Sequence, residues 1–419
     1  MRLLKEYPLF RKTIINNFIS TLGDSMYYIA LMTYAAQLDR PDFGIMLVSL
    51  SESLPYLFSL MMGSLADMSG QRTKKIIYTG LWRGGLYFLV GILIGFKPSM
   101  MILAGITLIN FVSDIIGKFD AGLWAPFLPF LVSAEDFEEA QGMKGAINQI
   151  VNMMSQFVGA FLLGIFSYRL LAFINSFTFF LTVLIVLTIV SELLQIEKNQ
   201  MDSSRQQLAF RTIWEQMVSS VKELYHNRIL FTQLVLFSLA NGLLTVLVPL
   251  VSLLFIENTH LLINNFSFSL ALFSALMSAG VVAGSLFGSK TFKSMELNTL
   301  CFYIFMAIFC VGIGILGANI WVLFIGGVGV GLFVGGASPK LSAAVVRQIP
   351  IDKLGSVNGG ISTLLMSVPP IATTMFTGLA SAKTLNAAVY LLLICSVVFA
   401  LASLWFGFKR LPQRDARKS

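Results

Sequence analysis

Twelve membrane-spanning helices in two bundles of six, with both chain ends in the cytoplasm, are what this sequence predicts, and three observations carry the prediction. The 419-residue chain is 56% hydrophobic and only 12% charged. A soluble domain has about 25% charged residues, so there is too little charge here to coat a water-facing surface. The apolar residues come in runs of about 20, the length that crosses about 30 Å of hydrocarbon at 1.5 Å per residue. The basic residues cluster in alternate loops, as a topology signal does. Backbone groups in lipid must be hydrogen-bonded within their own segment, so the spans are helices; the alternation of a β-barrel is not seen.

The first six spans are expected at 13–36, 43–66, 76–96, 100–125, 143–166 and 170–192, and the second six at 229–256, 266–288, 297–317, 319–340, 356–380 and 385–408. With the amino terminus inside, 23 Lys and Arg fall on cytoplasmic segments, counting Lys144 and Lys340 at the cytoplasmic ends of spans 5 and 10, four outside (Arg40, Lys97, Arg169, Lys383) and two, Arg83 and Lys118, deeper within spans. That asymmetry sets the orientation. It also accounts for the net charge of +8 without nucleic acid. Cys301, Cys310 and Cys395 lie in apolar runs and read as small buried residues, not as a disulfide or metal framework. No cleavable leader is expected, because Met1 to Lys12 is polar and basic and the following run is long enough to span. Asn265-Phe266-Ser267 fits the glycosylation pattern, a weak three-residue match.

The longest interruption runs from Leu193 to Arg228. Within it Phe210, Ile213, Trp214, Met217, Val221 and Leu224 recur at helical spacing, which reads as an amphipathic helix on the inner membrane face or, more blandly, as a solvated linker. The expected organisation is therefore an amino-terminal bundle over 1–193, a linker over 194–228, and a carboxyl-terminal bundle with a basic tail over 229–419. The halves repeat. Gly63-Ser64-Leu65 ends span 2, and Gly284-Ser285-Leu286 ends span 8, 221 positions on; Pro126 follows span 4, and Pro339 ends span 10, 213 positions on. A parallel duplication places a binding site near the midplane, between bundles that rock.

The loop after span 2 reads Gly63-Ser-Leu-Ala-Asp67-Met-Ser-Gly70-Gln-Arg72-Thr-Lys74-Lys75. A glycine there permits close helix contact, Asp67 stands at a helix end where a carboxylate finds a partner, and Gly70 allows a tight turn. This pattern resembles the signature of the major facilitator superfamily. The stretches from Pro126 to Gly142 and Ile349 to Asn358, and Asn17 to Asp24 in span 1, are similar to the macrolide-efflux branch, which includes siderophore exporters. The resemblance implies the major facilitator fold, drug:proton antiport, and a latch on one conformational state formed by Gly63, Asp67, Gly70, Arg72 and Lys74. The chain departs from the branch at Gly355-Ser356, where Gly-Arg is usual, at Gln156 to Gly159, which lacks the Gly-Pro of many antiporters, and at Asp114, which stands where relatives tend to carry Arg.

A charge at the bilayer centre costs at least about 2.5–3.5 kcal/mol, so each needs a partner or a task. Asp24 lies halfway along span 1, Glu52 in the outer half of span 2, Arg83 in span 3, and Asp114, Lys118 and Asp120 in span 4. Asp114 and Lys118 are four apart and favour an ion pair. A carboxylate buried in lipid can take up a proton near neutral pH and so couple it to transport. Asp24 and Glu52 are the first candidates for a proton or cationic-substrate site, with Arg83 as counter-charge; the competing reading has them bonded to Arg83 or Lys118 merely to hold the bundle. Tyr27, Tyr28 and Trp124 are candidates to line the substrate path. The Gly326-to-Gly336 run lacks the Gly-Lys-Ser/Thr ending of a phosphate loop and reads as tight helix packing.

The expectation is proton-coupled efflux of hydrophobic or amphipathic small molecules from a bacterial cytoplasmic membrane, by a monomer whose partners are the solute, protons and the bilayer. No cofactor, metal or catalytic residue is expected. The same fold running inward or as a facilitator, for another solute or a siderophore, is one alternative. A non-transporting membrane sensor is another, and a membrane-embedded enzyme a third, disfavoured because His226 and His260 both fall in loops.

Overall fold

The computed structural model describes residues 2–133, 136, 140, 143–144, 147, 150–151, 154–155, 158–159, 161–163, 165–201, 225, 228–292, 294–348 and 354–408. Among them there is no strand. A short α1 (Arg2–Glu6) leads into α2 (Pro8–Ala36), whose first residue is a proline. Proline suits that position because its missing N–H would be unsatisfied anyway. Span 2 is not the single helix expected. It divides into α3 (Pro41–Ser53), a 3-10 turn over Leu54–Phe58, and α4 (Ser59–Asp67). Pro55 explains the break, because it has no N–H to donate to the preceding turn.

Next come α5 (Arg72–Leu93) and α6 (Met100–Trp124), the latter followed by a 3-10 turn, then α7 (Tyr168–Leu187) and α8 (Val190–Ile196). The carboxyl-terminal helices are α9 (Arg228–Glu257), α10 (Phe266–Thr291), α11 (Leu297–Leu316), α12 (Ile320–Gln348), α13 (Leu354–Ala382) and α14 (Leu385–Phe408). Nine helices among the described residues are long and apolar enough to cross a membrane. Large apolar side chains such as Met101, Trp321 and Leu286 lie on exposed surface, as expected where the solvent is lipid. The Phe210-to-Leu224 stretch and the basic tail lie outside the described residues, as do Glu135, Gly142 and the Gln156–Phe157 pair. Asn265 caps the start of α10, its side-chain oxygen accepting from the Phe268 N–H at 2.8 Å.

Two compact units emerge: residues 1–40 with 54–213, and residues 41–53 with 214–419. In the first, α5 and α2 both pack on α7, and α6 packs on α4 and α5. In the second, α10 packs on α12, α9 on α13, and α11 on both α12 and α14. The glycine-rich run lies at the α10–α12 contact. A Cβ on Gly331 or Gly335 would fall on the carbonyls of Met277 and Val281, and one on Gly280 or Gly284 on those of Val328 and Leu332. Small residues at these positions let the two backbones touch. The outer half of span 2, α3, groups with the second unit through α13 and α9, and the Asp42 carboxylate accepts from the Ser381 hydroxyl at 2.9 Å.

Candidate functional site

Arg83 organises the first unit. Thr79, Arg83, Tyr87 and Val90 recur at helical spacing on the buried face of α5. That face meets α6 and α7, so an arginine there must find its partners inside the bundle. Its guanidinium donates to Asp24 of α2 at 3.0 Å and lies 3.8 Å from Asp114 of α6. Its Nε donates to the Ser113 hydroxyl at 3.2 Å, and its plane lies over the Phe179 ring of α7 at 4.1 Å. Gly117 leaves the space for it, since a Cβ there would sit 3.2 Å from the guanidinium carbon. One cation thus joins four helices, with two carboxylates in a planar donor's reach. Asp24 offers it one oxygen; the other is buried without a hydrogen-bond partner.

A polar and aromatic layer surrounds this cluster. Tyr27 meets the Tyr87 ring edge-on at 5.0 Å, and Tyr87 stacks on Phe179 at 5.5 Å. The Tyr87 hydroxyl donates to Asn110 at 2.8 Å. Tyr27 is fully buried, so it shapes the cluster rather than an open surface, while Tyr28 is half-buried. Asp120 accepts from the Thr79 hydroxyl at 2.6 Å. Arg83, Asp120 and Trp124 all border one partly open pocket of about 30 Å³, lined also by Asn16, Ser20, Phe179 and Thr182 among others.

The structure departs from the sequence reading at several residues. The four-residue spacing of Asp114 and Lys118 does not produce an ion pair. Asp114 turns to Arg83, and the Lys118 ammonium sits over the Tyr56 ring at 3.5 Å. The stronger attraction of a buried guanidinium outweighs a local i,i+4 contact worth a few tenths of a kcal/mol. Glu52, the other first candidate with Asp24, lies on α3, which groups with the second unit, whereas Asp24 and Arg83 belong to the first.

The latch motif is arranged differently from its reading. Helices α4 and α6 do approach closely, but Gly122 makes the room: a Cβ there would lie 2.7 Å from the Ala66 methyl carbon and 3.1 Å from the Gly63 Cα, whereas one on Gly63 would meet nothing. The left-handed residue of the turn is Gln71, with φ 54°, and not Gly70. The side chain of Asp67 lies outside the described residues. Lys74 is exposed and Arg72 half-buried. At the start of α5 the partner is Glu197, which follows α8. It accepts from the backbone N–H groups of Arg72 at 2.6 Å and Thr73 at 3.1 Å, and from the Thr73 hydroxyl at 2.8 Å. A carboxylate suits an exposed set of helix N–H groups. The signal available in the sequence was negative: Gln71, before α5, is a poor capping residue, and its replacement lies more than a hundred residues on.

No family model and no curated protein matches the sequence. Solved structures do match over nearly the whole chain. A crystal structure of the nucleoside transporter NupG superposes with a TM-score of 0.71 at 11% identity, covering 95% of this chain and 99% of that one. A POT family transporter in complex with 5-aminolevulinic acid gives 0.66 at 13% identity, covering 96% of each. A bacterial homologue of the iron transporter ferroportin, in its inward-facing state, gives 0.63 at 12%, covering 95% of this chain and 98% of that one. At these identities the likeness is one of fold: the chain has the fold shared by these transporter structures, and nine helices among its described residues are long and apolar enough to cross a membrane.

Proposed function

We propose that this protein is a proton-coupled secondary transporter that exports a hydrophobic or amphipathic small molecule by alternating access, with Asp24, Arg83 and Asp114 as the coupling group. The observation that carries the proposal is the Arg83 cluster: one guanidinium at membrane depth shared by carboxylates 3.0 and 3.8 Å away. A proton on Asp24 removes one of the two anions that hold Arg83, and the guanidinium is then drawn towards Asp114. A change of one charge in a low-dielectric bundle is a differential free energy that can bias two conformations. Asp120, beside the same cavity, is a second proton carrier in this scheme. Trp124 borders that cavity and Tyr28 is half-buried on α2, and they supply apolar contact to the solute. Twelve spans, cytoplasmic termini, a monomer in a bacterial cytoplasmic membrane, and a latch in the Gly63-to-Lys75 loop complete the reading.

The test is transport in proteoliposomes under an imposed pH gradient, with a macrolide and a fluorescent dye as solutes. Wild type should drive efflux with the gradient. Asp24→Asn should abolish gradient-driven flux yet retain solute exchange across the membrane without a gradient. Unchanged gradient-driven flux in Asp24→Asn would remove the coupling assignment.

A further inference from the structure

Lys118 is the charge inside the membrane that the coupling group does not absorb. It stands 18 residues after Met100 in α6 and 12 before Phe130, the ends of a continuous 31-residue span. At 1.5 Å per residue along α6 and about 2 Å along the 3-10 turn, it is about 27 Å from one end and about 21 Å from the other. Among the described residues it takes part in no ion pair. Its recorded contact is the Tyr56 ring at 3.5 Å. Asp114, one turn before it, is already turned to Arg83. Lys118 is half-buried and Tyr56 is 40% exposed, so the pair is open to whatever lies beside it. An ammonium on a spanning helix is costly against acyl chains, by at least about 2.5–3.5 kcal/mol near the bilayer centre, and water or an anionic ligand beside it relieves that cost.

An aromatic patch adjoins it. Phe58, two residues after Tyr56, packs edge-on against Phe111 at 5.9 Å, and Phe111 lies two turns before Lys118 on α6. Positions seven apart share a helix face. A fixed positive charge beside aromatic surface matches a solute with an anionic group on an apolar body. Tyr56 keeps the ammonium placed by a cation–π contact weak enough to be exchanged for an anion.

We infer that Lys118, with Tyr56 and the Phe58–Phe111 pair, is a subsite for the anionic group of the transported solute, which is therefore an amphipathic organic anion. This rests on the transporter reading and narrows its substrate class. A bound carboxylate would take Lys118 as its counter-ion, with the aromatic rings against the apolar part.

The experiment uses full-length protein in phosphatidylcholine nanodiscs and two fluorescent probes of the same body, dansylglycine, which is anionic, and dansylglycinamide, which is neutral. Wild type should bind the anion about tenfold more tightly, a difference of about 1.4 kcal/mol. Lys118→Met should bring the anion to the level of the amide without weakening the amide, and Lys118→Arg should keep the preference. Equal affinities in wild type, which needs no variant to fold, would overturn the inference. So would a preference that survives in Lys118→Met, or loss of anion binding when phosphatidylglycerol is added, which would mark a lipid headgroup site. Flux of the two probes under a pH gradient separates this from the transporter reading. Gradient-driven flux with no preference for the anion keeps the transporter and overturns the subsite. A Lys118-dependent binding preference with no flux of either probe supports the subsite and overturns the transporter.

Discussion

Replacing Arg83 by Met tests whether the cluster is one energetic unit. Met keeps much of the apolar stem and removes the charge. Two carboxylates then lose their partner, Asp24 at 3.0 Å with a side chain 34% exposed and Asp114 at 3.8 Å with one 20% exposed. Removing one member of a buried pair costs about 3–5 kcal/mol. The opening of Asp24 to solvent puts this case near the low end, about 3 kcal/mol, and the lost contacts to the Phe179 face and the Ser113 hydroxyl add about 1 kcal/mol each at most. Asp24→Asn alone should cost less, because Arg83 retains Asp114. In the double variant, removing the stranded Asp24 charge should recover part of the loss, a coupling of about 1–3 kcal/mol. Equilibrium SDS titration of purified protein in mixed micelles, followed by near-ultraviolet circular dichroism, measures all three variants. Additivity within about 0.5 kcal/mol would show that Asp24 and Arg83 are neighbours without being partners, and the coupling scheme would fall with it.

Further predictions concern the frame around the cluster. Glu197→Ala strips three acceptor contacts from the start of α5 and should lower stability by about 1–2 kcal/mol; the same titration reads it, and no loss would refute the cap. Gly331→Leu drives a side chain into the Met277 carbonyl of α10 and should abolish the monodisperse peak in size-exclusion chromatography. Gly105→Ala, where a Cβ meets nothing, should behave as wild type and so separate packing from helix propensity.

Much of the frame was legible in the chain. Apolar runs of spanning length locate helices because lipid offers backbone groups no alternative partner, and α6, expected at 100–125, runs from Met100 to Trp124. The Gly326-to-Gly336 run announced close packing for the same elementary reason: without a hydrophobic drive between helices, only small residues let backbones meet. Arg83 was conspicuous because a charge in a span is expensive.

What the sequence could not supply was the choice among partners at long separation. Asp24 and Glu52 looked equivalent as carboxylates in spans 1 and 2; Asp24 holds Arg83 at 3.0 Å, and Pro55 divides the helix that carries Glu52, so that α3 groups with the second unit. Asp114 and Lys118 had ideal local spacing, but a buried guanidinium from another helix outweighed it. Glu197 reached the start of α5 from beyond α8, with nothing in its neighbourhood to mark it. Local chemistry, set by period and solvent, is written along the chain and determined the helices by itself. Which of several equally charged side chains meet depends on how the helices pack, and the tertiary structure alone decided that.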